Sequence, residues 1–254
     1  MDAAEVGGVS MRIAVVSDIH ANLTALDAVI ADLRKTGPDL VVCGGDLMSG
    51  GPRPAEVIDR VRDMNWPGVY GNTDEMLWMP HRVSETLQAP PLHRIRDLML
   101  THTIPATLDA IGSERLAWLR ALPRRWCDGD LSVVHAGPDD VWQTTPANAS
   151  DEELEPVYAP LRSTRVLYGH IHYPYVRRVS TFMVANAGAV SLSFDGDARA
   201  CYALVDDDRI AIRRVEYDVE HEIRLLLATD DPFAETTAQT LRTGTYVPLP
   251  AAGS

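Results

Sequence analysis

The first seventy residues alternate between two hydrophobic periods, and nothing else in the chain restricts its fold as strongly. Arg12–Ser17 is an apolar run suited to a strand. Asn22 is placed to cap a helix running to about Lys35, with Leu23, Leu26, Val29, Ile30 and Leu33 along one face. Gly37-Pro38 stops that helix. Leu40–Cys43 is a second apolar run, closed by Gly44-Gly45-Asp46. Pro54–Arg62 suits a short helix with proline at its start, and Gly68–Tyr70 a third strand before Gly71-Asn72-Thr73-Asp74. A β-α-β-α-β order predicts parallel strands, because each crossover helix carries the chain back across the sheet face.

The later sequence is rich in strands. Arg125–Cys127, Leu131–Val134, Arg165–Tyr168, Tyr175–Val179, Phe182–Ala185, Cys201–Val205 and Ile210–Glu216 are short apolar or alternating runs between turn residues, with Asp206-Asp207-Asp208 as a hairpin turn. Helices are expected at Ser113–Leu122, Val219–Leu227 and Pro232–Leu241. Residues 75–110 show mixed periodicity broken by prolines, and could be a plain helical connection or a cap over a site. The expected fold class is α/β (α+β): a four-layer α/β/β/α sandwich of two mixed sheets flanked by helices. The expected domain spans residues 11–244, between a flexible N-terminal tail at 1–10 and a C-terminal tail at 245–254.

Composition removes several function classes. No run approaches the roughly 20 apolar residues of a membrane span, and residues 1–10 lack the basic and apolar regions of a secretory signal. The net charge of −13 opposes binding to nucleic acid or anionic membranes. Cys43, Cys127 and Cys201 form no C-x-x-C pair, so neither a disulfide framework nor a thiolate zinc site is indicated. They read as reduced, buried thiols of a cytoplasmic protein.

Polar residues gather where the strands end. Asp18 and His20 follow the first strand; strand alternation would aim them to one side, with Ile19 opposite. Asp46 follows the second across two glycines, which leave room for something close to the backbone. Asn72 follows the third, His135 follows Leu131–Val134, and His170 and His172 follow Arg165–Tyr168. Taken singly, each has an ordinary structural reading as a turn residue, a helix cap or a satisfied core histidine. Together they lie at the carboxyl ends of strands, where open α/β sheets bind ligands. Two Asp, one Asn and four His offer oxygen and imidazole donors without thiolate, a set suited to Mn, Fe, Zn and similar ions. They are too many for one tetrahedral zinc and suit two ions if one carboxylate bridges.

The blocks "SDIHAN", "GGDLMSGGP", "GNTD", "VVHAGP" and "GHIH" resemble, in this order, the five motifs of the calcineurin-like metallophosphoesterases. The resemblance is closest to their small single-domain bacterial and archaeal branch, usually described as phosphodiesterases. "VANAGAVS" is similar to a late Asn-rich loop of that branch. The resemblance implies a β-sandwich flanked by helices and two divalent transition-metal ions (Mn, Fe, Zn, Ni or Co, with Mn favoured). Asp18, His20, Asp46 and His172 would hold one ion. Asp46, Asn72, His135 and His170 would hold the other, with Asp46 bridging and Asn72 reaching the substrate phosphate.

The implied activity is metal-dependent hydrolysis of a phosphoester, a phosphodiester favoured, through in-line attack on phosphorus by a hydroxide between the metals. Asp46 and Asn72 would be its catalytic side chains. The implied partner is a small phosphoester, and a homo-oligomer is compatible with the sequence. Two features depart from wider family patterns. Thr73 stands where many relatives place a histidine that assists the leaving group, and "GDLMSGG" lacks the Asp and Arg that follow this block in serine/threonine protein phosphatases. The alternatives are a metal-holding scaffold or regulator of low turnover, and a phosphomonoesterase or protein phosphatase.

Overall fold

The computed structural model describes residues 11–206 and 209–250. Among them, nine strands form two sheets. The first is built from β1 (Ile13–Val16), β2 (Leu40–Cys43), β8 (Ala200–Asp206) and β9 (Arg209–Val215), in the order β2-β1-β8-β9. Only β1 and β2 are parallel in it. The second is built from β3 (Arg125–Asp128), β4 (Leu131–Val134), β5 (Arg165–Tyr168), β6 (Tyr175–Val179) and β7 (Phe182–Asn186), in the order β3-β4-β5-β7-β6. Here β4, β5 and β7 run parallel and the edge strands antiparallel. The expected pair of mixed sheets flanked by helices is therefore the observed fold.

Strand alternation builds the layers. In β1, Ile13 and Val15 face the inter-sheet core with Val42, Leu131, Val133, Leu167, Ala203 and Val205. Ala14 and Val16 face the opposite way, onto Leu26, Val29 and Ile30 of α1 (Leu23–Thr36) and Val57 and Ile58 of α2 (Pro54–Asp63). Each strand buried on both faces thus reads as a continuous apolar run. On the far side of the second sheet, Val134, Val166, Tyr168 and Val184 pack on Leu154 and Tyr158.

Those last two residues belong to α7 (Asp151–Tyr158), which the sequence reading missed. Its signal was a capping box: Ser150 Oγ accepts from Glu153 N, and Ser150 N donates to Glu153 Oε2. Pro156 inside the helix obscured it. The Asp206–Asp208 turn lies partly outside the described residues, although Asp206 does pair with Arg209. The helices α8 (Val219–Leu226) and α9 (Ala234–Thr243) close the fold.

Two expectations about the fold need correction. Gly68–Tyr70 is not a strand: it makes one parallel bridge, Gly68 with Cys43. Pro67 before it has no N–H to extend the ladder, and Asn72 instead opens a four-residue helix, α3 (Asn72–Glu75). Cys127 is exposed on edge strand β3, whereas Cys43 and Cys201 are buried.

Residues 72–121 are helical almost throughout. After α3 come α4 (His81–Thr86) and α5 (His93–Leu98), then a π-helical turn at Met99–Thr103 that runs into α6 (Ile104–Ala121). Gly112, at φ 69°, breaks α6, so the expected helix at Ser113–Leu122 is its second half. Helices of four to six residues are too short to display a 3.6-residue period, and the π turn shifts the phase of α6 relative to α5.

Candidate metal centre

The candidate ligand side chains stand off the strands, six on loops and Asn72 at the start of α3. β1 ends at Val16, and Asp18 and His20 both take left-handed backbone angles, φ 57° and 50°. Their convergence comes from those two turns and not from strand alternation, which corrects the expectation for this pair. His170 and His172 repeat the arrangement after β5, at φ 67° and 55°, and Asp46 after β2 at φ 51°. A side chain in this region costs about 1–2 kcal/mol, and such strain collects where the surrounding structure fixes it for a purpose.

Backbone hydrogen bonds fix it here. Asp18 N donates to Gly45 O and His20 N to Asp46 O, tying the first loop to the second. Gly169 N donates to His135 O, and Ser191 N to Asp18 O. Two glycines allow the approach. A Cβ on Gly45, at φ 91°, would lie 2.7 Å from Gly71 N, and one on Gly71 would overlap the Asp46 carboxylate. The room expected beside Gly44-Gly45 is thus taken by the Asn72 loop and the His135 ring.

All seven expected side chains meet in one continuous path. His170 Nδ1 lies 2.8 Å from Asn72 Oδ1, which is 3.0 Å from His135 Nε2. His135 Nε2 is 3.4 Å from Asp46 Oδ1, and Asp46 Oδ2 is 3.7 Å from His20 Nε2. His20 Nε2 lies 3.1 Å from His172 Nε2, which is 3.2 Å from Asp18 Oδ1. Two sets have ligand atoms close enough to share an ion: Asp18, His20 and His172, and Asp18, Asp46 and His135. The two oxygens of Asp46 face different histidines, one on each side.

The His20–His172 contact is the most informative. His20 Nδ1 donates to Ser49 O at 2.8 Å, and His172 Nδ1 donates to Leu192 O at 2.7 Å. Those bonds fix the tautomers, so both Nε2 atoms bear lone pairs and face each other. Only a proton or a metal cation between them relieves that contact. His135 is held the same way, its Nδ1 donating to Gly44 O. Metal-ligating histidines are typically oriented by such a bond from the other ring nitrogen. The donor set therefore fits divalent cations.

Charge is divided unevenly across the cluster. Burial raises the Asp18 carboxyl, but the surrounding imidazoles of His172, His135 and His20 outweigh it and hold Asp18 well below the usual range. Burial also pushes the imidazoles toward neutrality. It prevails at His20, helped by His172, and at His170, which falls to about 4. It is overcome at His135 by Asp46 and Asp18, and at His172 by Asp18, so both of these are raised.

Two supports were missed in the sequence. Asp74 is fully buried, and its carboxylate accepts from Leu47 N, Met48 N and Gly71 N. It ties the Asp46 loop to the Asn72 loop, and burial followed by the Asp46 charge raises it to about 7. It stood inside the "GNTD" block without an assigned role. Phe194 stacks on His172, centroids 4.6 Å apart; no local pattern marked it. Thr73 is buried, and its hydroxyl donates to Met48 O at 2.9 Å. Of the histidines in the helical segment, His81 is exposed, and His93 and His102 are half-buried. None contributes to the path.

The chain has relatives among known proteins and solved structures. The chain is 28% identical over 235 residues to an uncharacterized protein of Methanocaldococcus jannaschii, covering 84% of this chain and 90% of that one. It is 24% identical over 215 residues to the phosphodiesterase YfcE of Escherichia coli, covering 80% and 91%. The structure of a metallophosphoesterase from Sphaerobacter thermophilus matches with a TM-score of 0.74 at 28% identity, covering 92% of this chain and 99% of that one. The model of the calcineurin-like phosphoesterase superfamily domain matches residues 11–209. With its two mixed sheets and its Asp–His cluster at the strand ends, the chain belongs to the calcineurin-like phosphoesterase superfamily.

Proposed function

We propose that this chain is a binuclear metallophosphoesterase that hydrolyses phosphodiesters in preference to monoesters. Asp18, His20, Asp46 and His172 hold one divalent ion, and Asp46, Asn72, His135 and His170 the other, with manganese favoured. Bound there, the ions would lower the pKa of a water and neutralise charge on the phosphoryl oxygens. The convergence of buried carboxylate and imidazole donors, with the Nε2 atoms of His20 and His172 3.1 Å apart, carries this reading.

The chain itself supplies orientation. Asp46 turns one oxygen toward each half of the cluster. Asn72 and His170 are the half-exposed members, so the phosphate is met from their side. Thr73 keeps its hydroxyl on Met48 O and is not free to protonate a leaving group. The preference for a diester is supported by two clefts that flank the cluster, one reaching His20 and the other His170, with no Lys or Arg lining either among the described residues. A singly charged diester with two substituents suits two such clefts better than a dianionic monoester does. The similarity to a phosphodiesterase points the same way.

The test is metal analysis of the purified protein, followed by rates on bis(4-nitrophenyl) phosphate and 4-nitrophenyl phosphate. Two ions per chain and a faster diester are expected. A fully loaded protein without turnover would leave a metal-holding scaffold, and a faster monoester would overturn the diester preference.

A further inference from the structure

The cleft that reaches His20 encloses about 220 Å³, and its walls come from regions distant in sequence. Ile95 and Met99 contribute from the helical segment, Leu192 and Phe194 from the loop after β7, Phe233 from the start of α9, and Val247 from the chain beyond it. Among the described residues, Asp231 is the acid in its lining, and His20 reaches it from the cluster. An apolar cavity of about 150 Å³ is large enough to take benzene.

The cavity's place relative to the cluster is fixed. Leu192 accepts the His172 ring proton on its carbonyl and lines the cavity. Phe194 lies flat on the His172 ring, interplanar angle 17°, and Tyr246 meets Phe194 edge-on at 5.6 Å. The residues that hold His172 are thus the wall of the cavity. The cavity therefore lies beside the cluster, within reach of a substituent on a phosphoester held there.

We propose that this cavity is the subsite for one ester substituent and selects an uncharged aromatic or aliphatic group over one bearing a further phosphate. The inference rests on the phosphoesterase reading of the cluster. An apolar substituent leaves water for an apolar wall. A second phosphate would meet Asp231 and no lining Lys or Arg to balance it.

The probes are methyl phenylphosphonate and methyl methylphosphonate, of equal charge and differing only in a substituent held by a P–C bond that the enzyme cannot hydrolyse, titrated calorimetrically into the metal-loaded protein. The phenyl compound should bind at least about tenfold more tightly, with a negative heat-capacity change. Methyl (4-sulfophenyl)phosphonate should lose that advantage. Met99→Lys should reverse the order of the two aryl probes. Leu249→Lys, in the irregular chain beyond α9 that also lines the cavity, tests the same point without disturbing a helix. Equal affinities for the phenyl and methyl probes, in a preparation that hydrolyses bis(4-nitrophenyl) phosphate, would overturn the subsite and leave the enzyme intact. Absence of metal, turnover and probe binding together would overturn the phosphoesterase reading itself.

Discussion

The floor of the site and its wall are built by opposite strategies. The floor is made mostly of short loops at strand ends, with five of its seven proposed ligands held in left-handed backbone and cross-tied by backbone hydrogen bonds. The wall combines half-buried apolar side chains from four separate regions with Asp231 and the hydroxyl residues Ser49, Thr236, Thr237 and Thr240, with no strand among them. Chemistry that depends on tenths of an ångström sits on the part of the molecule with least freedom. Selection among substituents is left to a surface whose packing tolerates exchange of one apolar group for another.

The sharpest way to test that contrast is to remove charge from the floor. Asp46→Asn should deplete both ions and lower turnover at least about 10²–10³-fold, while far-ultraviolet circular dichroism remains that of the folded chain. Normal metal content and activity in this variant would remove the two-ion assignment. Asp74→Asn keeps the ligands but replaces an acceptor oxygen with a donor that faces a backbone N–H. Metal affinity should fall roughly 10–100-fold, as it does when outer supports of ligands are lost, and the melting temperature should fall with it.

A smaller effect distinguishes Thr73 from the floor around it. Thr73→Val removes a hydroxyl already committed to Met48 O. We expect about 1 kcal/mol of lost stability and aryl-ester rates within twofold of wild type. Because a positioned acid contributes typically 10²–10⁴-fold, its lack should make the wild-type rate depend steeply on leaving-group pKa. A flat series with chemistry rate-limiting would place a proton donor elsewhere. The smallest effects belong to His81→Ala and His102→Ala, whose rates on any accepted substrate should stay within about twofold. A larger change for His102, which lines a groove sharing Ser49 and Gly50 with the cavity, would extend the wall to that residue.

The floor was legible in the sequence because its information is local. Six of the seven side chains sit beside a glycine or a small residue, and His172 is marked by its spacing of two from His170. The sandwich was legible because β1, β2, β4 and β5 carry apolar residues on both faces and little polar noise. The direction of Asp18 and His20 was reached by the wrong route: two left-handed residues one position apart bring side chains together much as strand alternation would, and the pattern D-x-H is the same for both. The wall was illegible because Met99 and Phe194 acquire their meaning only when chain segments nearly a hundred residues apart meet. Asp74 shows the intermediate case, a quoted residue whose role needs the position of Leu47 and Met48 to be known.

Phe194 and Leu192 belong to both floor and wall, and this limits how such a site can change over generations. A substitution at Phe194 that admits a bulkier substituent also unstacks His172, so a lineage that shifts its substrate there shifts its hold on metal in the same step. Ile95 and Met99 line the cavity from the helical segment, outside the loops that carry the cluster. Drift in preference can accumulate at those two helical positions while the metal centre is left unchanged, which makes them the first residues to vary when a different ester is wanted.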